Sequence, residues 1–229
     1  MKVGLCFVCT GRYVKFLKNF MAGARTFFCP QHYLRLFVFS DAEVTGPDVS
    51  WHKTPHEPWP GPTLHRYHST LAARAELLKQ DYLYTCDVDM GFADTIDDEI
   101  FGDLVATLHP GFVNKSRDQF TYERRPESRA CIPAGKGVRY YAGGFQGGRA
   151  ECYVEAMETM REMIDDDEAR GIGAIWDDES HWNRYLVDHP PTLTLPPTFC
   201  CQETRMIPGR KLLCLNKDHK ALREWTPAQ

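Results

Sequence analysis

The chain has 229 residues, of which 43% are hydrophobic and 12% aromatic, enough to bury the core of one α/β domain. Its 27 basic and 31 acidic residues give a net charge of -4, so no basic surface suited to duplex nucleic acid or an anionic membrane is predicted. The first twenty residues contain four Lys or Arg, which argues against a signal sequence or a membrane span there. Nine cysteines cannot all pair, and their spacing does not match a zinc ribbon. We therefore expect a cytoplasmic protein, unless an N-terminal anchor has been removed.

The first ninety residues predict alternating strands and helices. Short β-rich stretches alternate with segments of helical periodicity, and prolines interrupt the pattern once. In chain order the predictions are a strand at 3–9, a helix at 12–24, a strand at 34–41, a loop at 55–62, a helix at 63–80 and a strand at 82–90. The β-α-β beginning indicates an α/β fold.

The rest of the chain is less regular. Residues 101–145 have little helical periodicity and many Gly, Pro and aromatic residues, so they predict strands and loops. Residues 150–170 predict an amphipathic helix. Residues 176–188 predict a helix that begins with acidic residues, which the positive end of a helix favours. A Pro-rich strand-and-loop region follows, and no repeat or linker divides the chain.

Two carboxylates, Asp87 and Asp89, lie at the end of the strand predicted at 82–90. Side chains at positions i and i+2 of a strand point to the same side, so both could bind one hard divalent cation. Ligands of α/β sheets also bind at the carboxyl ends of strands. The pair predicts a metal site that would neutralise a diphosphate. An exposed acidic turn is the alternative.

Three consecutive acids at 177–179 follow Trp176. A solvated helix start with capping acids would explain them. Chemistry that retains the configuration of a sugar also needs a carboxylate near the anomeric carbon, as a nucleophile or as a stabiliser of positive charge. One of these acids could supply it.

A glycine-rich stretch, residues 141–148, precedes the predicted helix at 150–170. It is interpreted as a loop whose backbone can approach a ligand closely. Its spacing is neither that of a dinucleotide fingerprint nor that of a Walker loop. A flexible turn is the alternative.

Residues 108–112 and 120–126 mix aromatic rings with hydrogen-bonding groups, the combination that carbohydrate binding needs. A core histidine and a structural Glu-Arg pair are the alternatives. The histidine pairs 52/56 and 65/68 lack the carboxylate arrangement typical of a zinc site.

Five motifs occur in an order that resembles one enzyme family. They are DVDM, LHPGF, FTYERRP, IPAGKGVRYYAGGFQGG and WDDESHWNRYL. The sequence is similar to the family of the histo-blood-group A and B transferases and α-1,3-galactosyltransferase, densely over 82–186 and more thinly outside. This resemblance implies a GT-A fold, a single Rossmann-like α/β domain with a central mixed sheet over 1–229. It also implies that 1–90 mainly bind a nucleotide sugar and that 91–229 supply the acceptor side and a basic C-terminal tail.

The resemblance also implies residues that bind a UDP-sugar donor. Asp87 and Asp89 resemble ligands of Mn²⁺, with Mg²⁺ as an alternative ion. The implied donor-binding residues are Val8, Thr10, Tyr13, Arg66, Asp87, Val88, Asp89, Ala142, Gly143, Gly144, Asp178, Lys217 and Arg223. Val8 stands where the family more often has an aromatic residue. The tail 217–223 is expected to close over the donor.

On the acceptor side the resemblance implies His109, Thr121, Trp176, Glu179 and Gln202. Glu179 is also the implied catalytic residue, because it matches a position that faces the anomeric carbon. Gln202 falls in the stretch where the mammalian enzymes carry a Trp-Asp pair that grips the acceptor galactose, which indicates a different acceptor.

Together these residues imply a metal-dependent, retaining transferase. It would move N-acetylgalactosamine or galactose from UDP to the 3-hydroxyl of a galactose-type acceptor, in α linkage. Gly144 leaves room for an acetamido group, which favours N-acetylgalactosamine. The expected partners are a UDP-sugar donor and an oligosaccharide or glycoconjugate acceptor. A UDP-sugar hydrolase with weak transfer activity and a non-catalytic sugar-binding module are the alternatives.

Overall fold

A mixed sheet of seven strands lies at the centre of the computed structural model, which describes residues 1–223. The strands are β1 (Lys2–Val8), β2 (Tyr33–Ser40), β3 (Val49–Lys53), β4 (Tyr82–Cys86), β5 (Met90–Phe92), β6 (Val105–Leu108), β7 (Tyr141–Arg149), β8 (Leu193–Leu195), β9 (Cys201–Gln202) and β10 (Leu212–Cys214). The α-helices are α1 (Val14–Phe27), α2 (Gly61–Leu64), α3 (Arg66–Leu71), α4 (Arg74–Leu77), α5 (Ala150–Ala169), α6 (Asp177–Asp188) and α7 (His219–Arg223).

The central sheet runs in the order β3-β2-β1-β4-β7-β6-β8, and β5, β10 and β9 form a second small sheet. β1 pairs in parallel with β2 and β4, whereas β7 runs antiparallel to β4 and β6. Cys86 at the end of β4 pairs with Phe145, so the first residues of β7 extend past β4. The end of β1, the end of β4 and the start of β7 therefore lie together at one edge of the sheet.

Apolar side chains cover both faces of the sheet. Along β1, Val3, Leu5 and Phe7 pack in a core cluster with α1, whereas Cys6 belongs to a second cluster with α3, α5 and α6. Successive residues of a strand point to opposite faces of the sheet. A strand that is buried on both faces therefore has a continuous run of apolar residues in its sequence. This explains why β1 and β2 could be predicted from hydrophobicity.

The predicted α/β fold with a central mixed sheet is confirmed. The helices predicted at 150–170 and 176–188 are α5 and α6, whose bounds agree within one residue. All nine cysteines carry free thiols. Within residues 1–223, no helix is long and apolar enough to cross a membrane.

The single helix predicted at 63–80 is wrong, because the chain forms the three short helices α2, α3 and α4 there. The breaks fall at His65 and Ala73, whose ψ angles are 20° and 14°, whereas an α-helix needs about −42°. Within α3, the Thr70 hydroxyl donates a hydrogen bond to the Arg66 carbonyl at 2.7 Å. Such a bond competes with the backbone ladder and bends helices.

The interpretation of 141–148 as a loop or flexible turn is also wrong, because these residues form most of strand β7. A Cβ atom on Gly147 would lie 2.2 Å from the Leu83 carbonyl oxygen, and one on Gly148 would lie 2.3 Å from the Asp103 carbonyl oxygen. These two glycines are needed because neighbouring backbone approaches the strand closely.

Candidate active site

A cavity of about 530 Å³ opens at the sheet edge where β1 and β4 end and β7 begins. Most of the residues that the sequence analysis selected line it: Val8, Thr10, Tyr13, Arg66, Asp87, Val88, Asp89, Gly143, Gly144, Trp176, Asp178, Glu179, Lys217 and Arg223. They come from both halves of the chain, and the fold brings them into one space.

Arg66 links three walls of the cavity. Its Nη2 atom lies 2.9 Å from Asp87 Oδ1 and its Nε atom 2.9 Å from Asp178 Oδ2. Its Nη1 atom donates a hydrogen bond to the Gly143 carbonyl at 3.1 Å. The Gly143 contact is a hydrogen bond, whereas Asp87 and Asp178 are held by the charge of the guanidinium; Asp178 Oδ2 accepts no hydrogen bond within residues 1–223. Arg66 thereby ties the end of β4, the start of β7 and the start of α6 together.

Asp87 and Asp89 lie in the turn between β4 and β5, on the cavity wall. Asp87 pairs with Arg66 through one oxygen, Oδ1, and the Lys217 ammonium contacts Asp89. The Asp87 side chain is 38% exposed, so it remains accessible from the cavity. Two carboxylates on one wall are hard oxygen donors of the kind that Mn²⁺ and Mg²⁺ prefer. The residues present therefore fit a divalent cation.

A second group of metal-ligating atoms lies elsewhere. His32 Nε2 is 3.3 Å from Asp97 Oδ1 and 2.9 Å from Asp98 Oδ1. The N-terminal amine lies 3.4 Å from the other ring nitrogen of His32. None of these groups lines the cavity, so the cluster does not bear on the chemistry there.

Glu179, in the first turn of α6, points its carboxylate at β7. Its Oε2 accepts a hydrogen bond from the Gly143 backbone N–H at 2.8 Å. Burial raises the pKa of Glu179 to about 7, although hydrogen bonds from Gly143 and from the Tyr140 hydroxyl oppose the rise. The carboxylate is thus fixed from two sides and poised to change protonation near neutral pH.

The two preceding acids have different surroundings. Asp178 is 2% exposed, and burial raises the pKa of its carboxyl while Arg66 opposes the rise. Asp177 adopts a φ of 45°, in the left-handed region that few residues other than glycine occupy. This conformation starts α6 abruptly, which lets both Asp178 and Glu179 face inward.

The C-terminal segment, residues 217–223, lies over the cavity. The Lys217 ammonium is 5.8 Å from the centre of the Tyr13 ring, and the Arg223 guanidinium is 3.6 Å from the centre of the Trp59 ring. The Arg12 side chain donates a hydrogen bond to the Ala221 carbonyl at 2.6 Å. The segment therefore brings two cations to the mouth of the cavity.

Four of the selected residues do not line the cavity. Ala142 is buried within β7, one residue before the wall. The His109 ring lies 5.7 Å from the Tyr140 ring, and the Thr121 hydroxyl oxygen is buried without a hydrogen-bond partner among residues 1–223. Neither His109 nor Thr121 lines the cavity. Gln202 is exposed on β9, paired with β10 rather than with the cavity wall.

Two residues that the sequence analysis did not select belong to the site. Tyr140 hydrogen-bonds to Glu179, and Trp59 stacks under Arg223 while lining the cavity. The signals available were the tyrosine pair in the RYYAGG motif and a tryptophan among prolines. Neither pattern indicates which residue the side chain contacts, because Glu179 and Arg223 are distant from them in the sequence.

Comparison with known proteins identifies the family. Residues 62–224 match the model of glycosyltransferase family 6. The rat histo-blood group ABO system transferase 1 is 34% identical, over 96% of this chain and 68% of its own length. The chicken globoside alpha-1,3-N-acetylgalactosaminyltransferase 1 is 32% identical, over 91% of this chain and 64% of its own length. The human enzyme of the same name is 31% identical, over 97% of this chain and 69% of its own length. The chain therefore belongs to glycosyltransferase family 6.

Proposed function

We propose that this protein is a metal-dependent, retaining glycosyltransferase. It moves N-acetylgalactosamine, and galactose more slowly, from UDP to the 3-hydroxyl of a galactose-type acceptor in α linkage. Membership of glycosyltransferase family 6 supports sugar transfer, and relatives named α-1,3-N-acetylgalactosaminyltransferases support the sugar and the linkage. The observation that carries the proposal is that one cavity collects Glu179 with the carboxylates Asp87 and Asp89.

The donor is proposed to bind along the carboxyl ends of β1 and β4. Thr10 and Tyr13 follow β1 and line the cavity, in a position to contact the nucleoside. Asp87 and Asp89 would hold the divalent cation, which supplies positive charge to the diphosphate leaving group. Lys217 would bind phosphate oxygens through charge-assisted hydrogen bonds, and Arg223 in the same segment would do likewise.

Glu179 is proposed to act on the anomeric carbon. The Gly143 N–H and the Tyr140 hydroxyl hold its carboxylate in place before the donor binds. The carboxylate either attacks the anomeric carbon or stabilises the positive charge that develops there. Both routes retain the configuration, and both require Glu179 to be ionised. Asp178, fixed by Arg66, would hold hydroxyl groups of the donor sugar.

Gly144 is proposed to set the donor preference. A Cβ atom there would lie 3.3 Å from Asp87 Oδ2 and 3.4 Å from Met90 Sδ, so a methyl group could be accommodated but would project into a crowded wall. Glycine leaves that volume to the acetamido group of N-acetylgalactosamine. One methyl group discriminates by only about 1–3 kcal/mol, so galactose should remain a slower substrate.

The acceptor is proposed to lie against Trp176, which is 48% exposed beside the cavity. His109 and Thr121, which do not line the cavity, would contribute from the region around Tyr140. Both halves of the chain line the cavity, in support of one catalytic domain over 1–229. Within it, 1–90 are proposed to form mainly the donor side, and 91–229 mainly the acceptor side together with the basic C-terminal tail.

Hydrolysis of the UDP sugar is a second candidate function. The position of Gln202 favours it, because this residue is exposed on β9 and leaves that part of the acceptor side open to water. A non-catalytic sugar-binding module would need neither the carboxylate pair nor Glu179, so their convergence in one cavity weighs against that alternative.

The deciding experiment supplies UDP-N-acetylgalactosamine or UDP-galactose with Mn²⁺ and a panel of galactose-terminated acceptors. UDP release and glycan products are measured together, with Glu179→Gln as the control. We expect an α-linked product with at least one acceptor and faster use of UDP-N-acetylgalactosamine. UDP release without a glycan product would favour hydrolysis, and no UDP release from either donor would refute both functions.

A further inference from the structure

The segment that leads into α6, residues 173–175, is held by side chains from a different part of the chain. Glu123 lies in the long loop between β6 and β7 and is 3% exposed. Its Oε2 accepts a hydrogen bond from the Ile175 backbone N–H at 3.0 Å. Arg125, which pairs with Glu123, donates a hydrogen bond to the Gly173 carbonyl. The Glu123–Arg125 pair thus binds the segment at two backbone groups.

The pair is itself firmly fixed. Glu123 Oε1 accepts the backbone N–H groups of Arg124 and Arg125, both at 2.9 Å, and the Arg125 Nε–H at 3.0 Å. Oε2 accepts the Arg125 Nη2–H at 2.6 Å. The hydrogen bonds from Arg125 lower the pKa of Glu123 to about 2. Glu123 is therefore an ionised carboxylate whose oxygens accept five donors, one of them from the segment.

The segment controls where α6 begins. The Trp176 N–H donates a hydrogen bond to Ser180 Oγ at 3.0 Å, and the Glu179 N–H donates one to the Trp176 carbonyl at 3.0 Å. Ile175 and Trp176 line the cavity, whereas Glu123 and Arg125 do not. A displacement of Ile175 would therefore be passed to Trp176 and to the backbone of Glu179, while Glu123 itself does not touch a ligand in the cavity.

We propose that Glu123 is a positioning residue for sugar transfer, which with Arg125 holds residues 173–175 so that Trp176 and Glu179 face the cavity. The proposal rests on the proposed function, in which Glu179 acts on the sugar. It assigns Glu123 and Arg125 of the FTYERRP motif the task of placing the start of α6, whereas Thr121 of the same motif stays on the proposed acceptor side. Misplacement by about 1 Å can lower a rate by about a hundredfold, so small movements matter here.

Glu123→Gln is a sharp test because glutamine has the same shape but only one acceptor oxygen. If the glutamine oxygen takes the place of Oε1, it still accepts the three donors there. The glutamine NH₂ group then takes the place of Oε2 and faces the Arg125 Nη2–H and the Ile175 N–H, which are donors too, so neither hydrogen bond can form. The Ile175 contact is then lost. Arg125→Lys is the milder second variant. Lysine keeps the positive charge beside Glu123 but lacks the planar guanidinium that donates to both Glu123 and the Gly173 carbonyl.

The control is Asp48→Asn, which breaks another arginine–carboxylate pair, a more exposed one that does not line the cavity. Arg25 donates to both oxygens of Asp48, each at 2.8 Å, and lowers the pKa of that carboxyl. The assay measures UDP affinity and the number of UDP-binding sites by calorimetry. It then measures UDP release from UDP-N-acetylgalactosamine with lactose and Mn²⁺, expressed per UDP-binding site, so that misfolded protein is not counted.

For Glu123→Gln we expect kcat per UDP-binding site to fall about tenfold or more, with the UDP affinity within about twofold of wild type. Arg125→Lys should show a smaller loss of the same kind, and Asp48→Asn no loss. Wild-type kcat per site in Glu123→Gln, when Glu179→Gln is inactive, would overturn the positioning role. Full activity of Glu179→Gln would instead overturn the proposed function on which it rests.

Discussion

Replacement of Arg66 by alanine tests how far the buried charges of the cavity depend on one guanidinium. The side chains of Arg66 and Asp178 are 11% and 2% exposed and lie 2.9 Å apart. Without Arg66 the Asp178 carboxylate is buried with no cation beside it. Loss of one partner of a buried pair costs about 3–5 kcal/mol of unfolding free energy. We expect Arg66→Ala to lose up to that amount at pH 9.5.

The deficit should become larger as the pH rises above 8. Burial raises the pKa of Asp178 to about 8 even beside Arg66, and removal of Arg66, which opposes the rise, should raise it further. Above about pH 8 the folded wild type has released this proton, whereas the folded variant still holds it. The stability of the variant relative to wild type therefore decreases as the pH rises through this range, by at most about 1.4 kcal/mol per pH unit.

The assay is urea unfolding of both proteins at pH 7 and pH 9.5, followed by tryptophan fluorescence. Arg25→Ala is the matched control, since the Arg25 and Asp48 side chains are 43% and 23% exposed and an exposed pair is worth about 0–1 kcal/mol. The control should lose little stability at either pH. Equal losses in the two variants, or a deficit for Arg66→Ala that does not change with pH, would refute the reasoning.

Four further outcomes are expected. Chelation by EDTA should abolish transfer, and a double variant Asp87→Asn, Asp89→Asn that stays fully active in EDTA would exclude the metal role. Because burial raises the pKa of Glu179 to about 7, kcat/KM should fall as the pH drops below about 7. Glu179→Gln should lower kcat far more than it lowers donor affinity. An unchanged kcat in this variant would indicate that Asp178 is the catalytic acid instead. Removal of the residues after Asn216 should weaken UDP binding, which calorimetry would measure, and an unaltered affinity would contradict a role for Lys217 and Arg223. Gly144→Ala should move the ratio of kcat/KM values towards UDP-galactose, whereas an unchanged ratio would shift attention to Ala142.

The parts of the fold that could be predicted are those that local patterns determine. α5 and α6 have apolar residues at helical spacing, and β1 and β2 are apolar runs buried on both faces. Asp87 and Asp89 could be placed at the end of β4 because the apolar run stops there. Each of these inferences needs only neighbouring residues.

The parts that could not be predicted depend on contacts between distant residues. The glycines of β7 suggest a loop when the sequence is considered alone. In the folded chain they lie in a strand, because the backbone of Leu83 and Asp103 approaches too closely for a larger residue. Residues 63–80 have helical periodicity throughout, yet the hydrogen bond from Thr70 to Arg66 and the changed backbone at His65 and Ala73 divide the stretch. Periodicity gives no information about such tertiary contacts.

The candidate site shows the same division. The family resemblance selected Glu179 from three adjacent acids, but nothing in the local sequence shows that Asp178 is the one that pairs with Arg66. Nor does it show that Tyr140 reaches Glu179, because β7 and α6 meet only in the folded chain. The electrostatic differences among the acids arise from these tertiary partners.

The charge balance of the cavity links the proposed cation to the protonation of Glu179. Among the described residues that line it are five carboxylates and three cationic side chains: Asp87, Asp89, Asp177, Asp178 and Glu179, with Arg66, Lys217 and Arg223. A bound nucleoside diphosphate adds further negative charge, which favours protonation of the carboxyl whose pKa is already about 7. A protonated Glu179 could neither attack nor stabilise the anomeric centre. A divalent cation on Asp87 and Asp89 would offset the added charge and keep Glu179 ionised, so the fall in activity on the acidic side should occur at lower pH as the Mn²⁺ concentration rises.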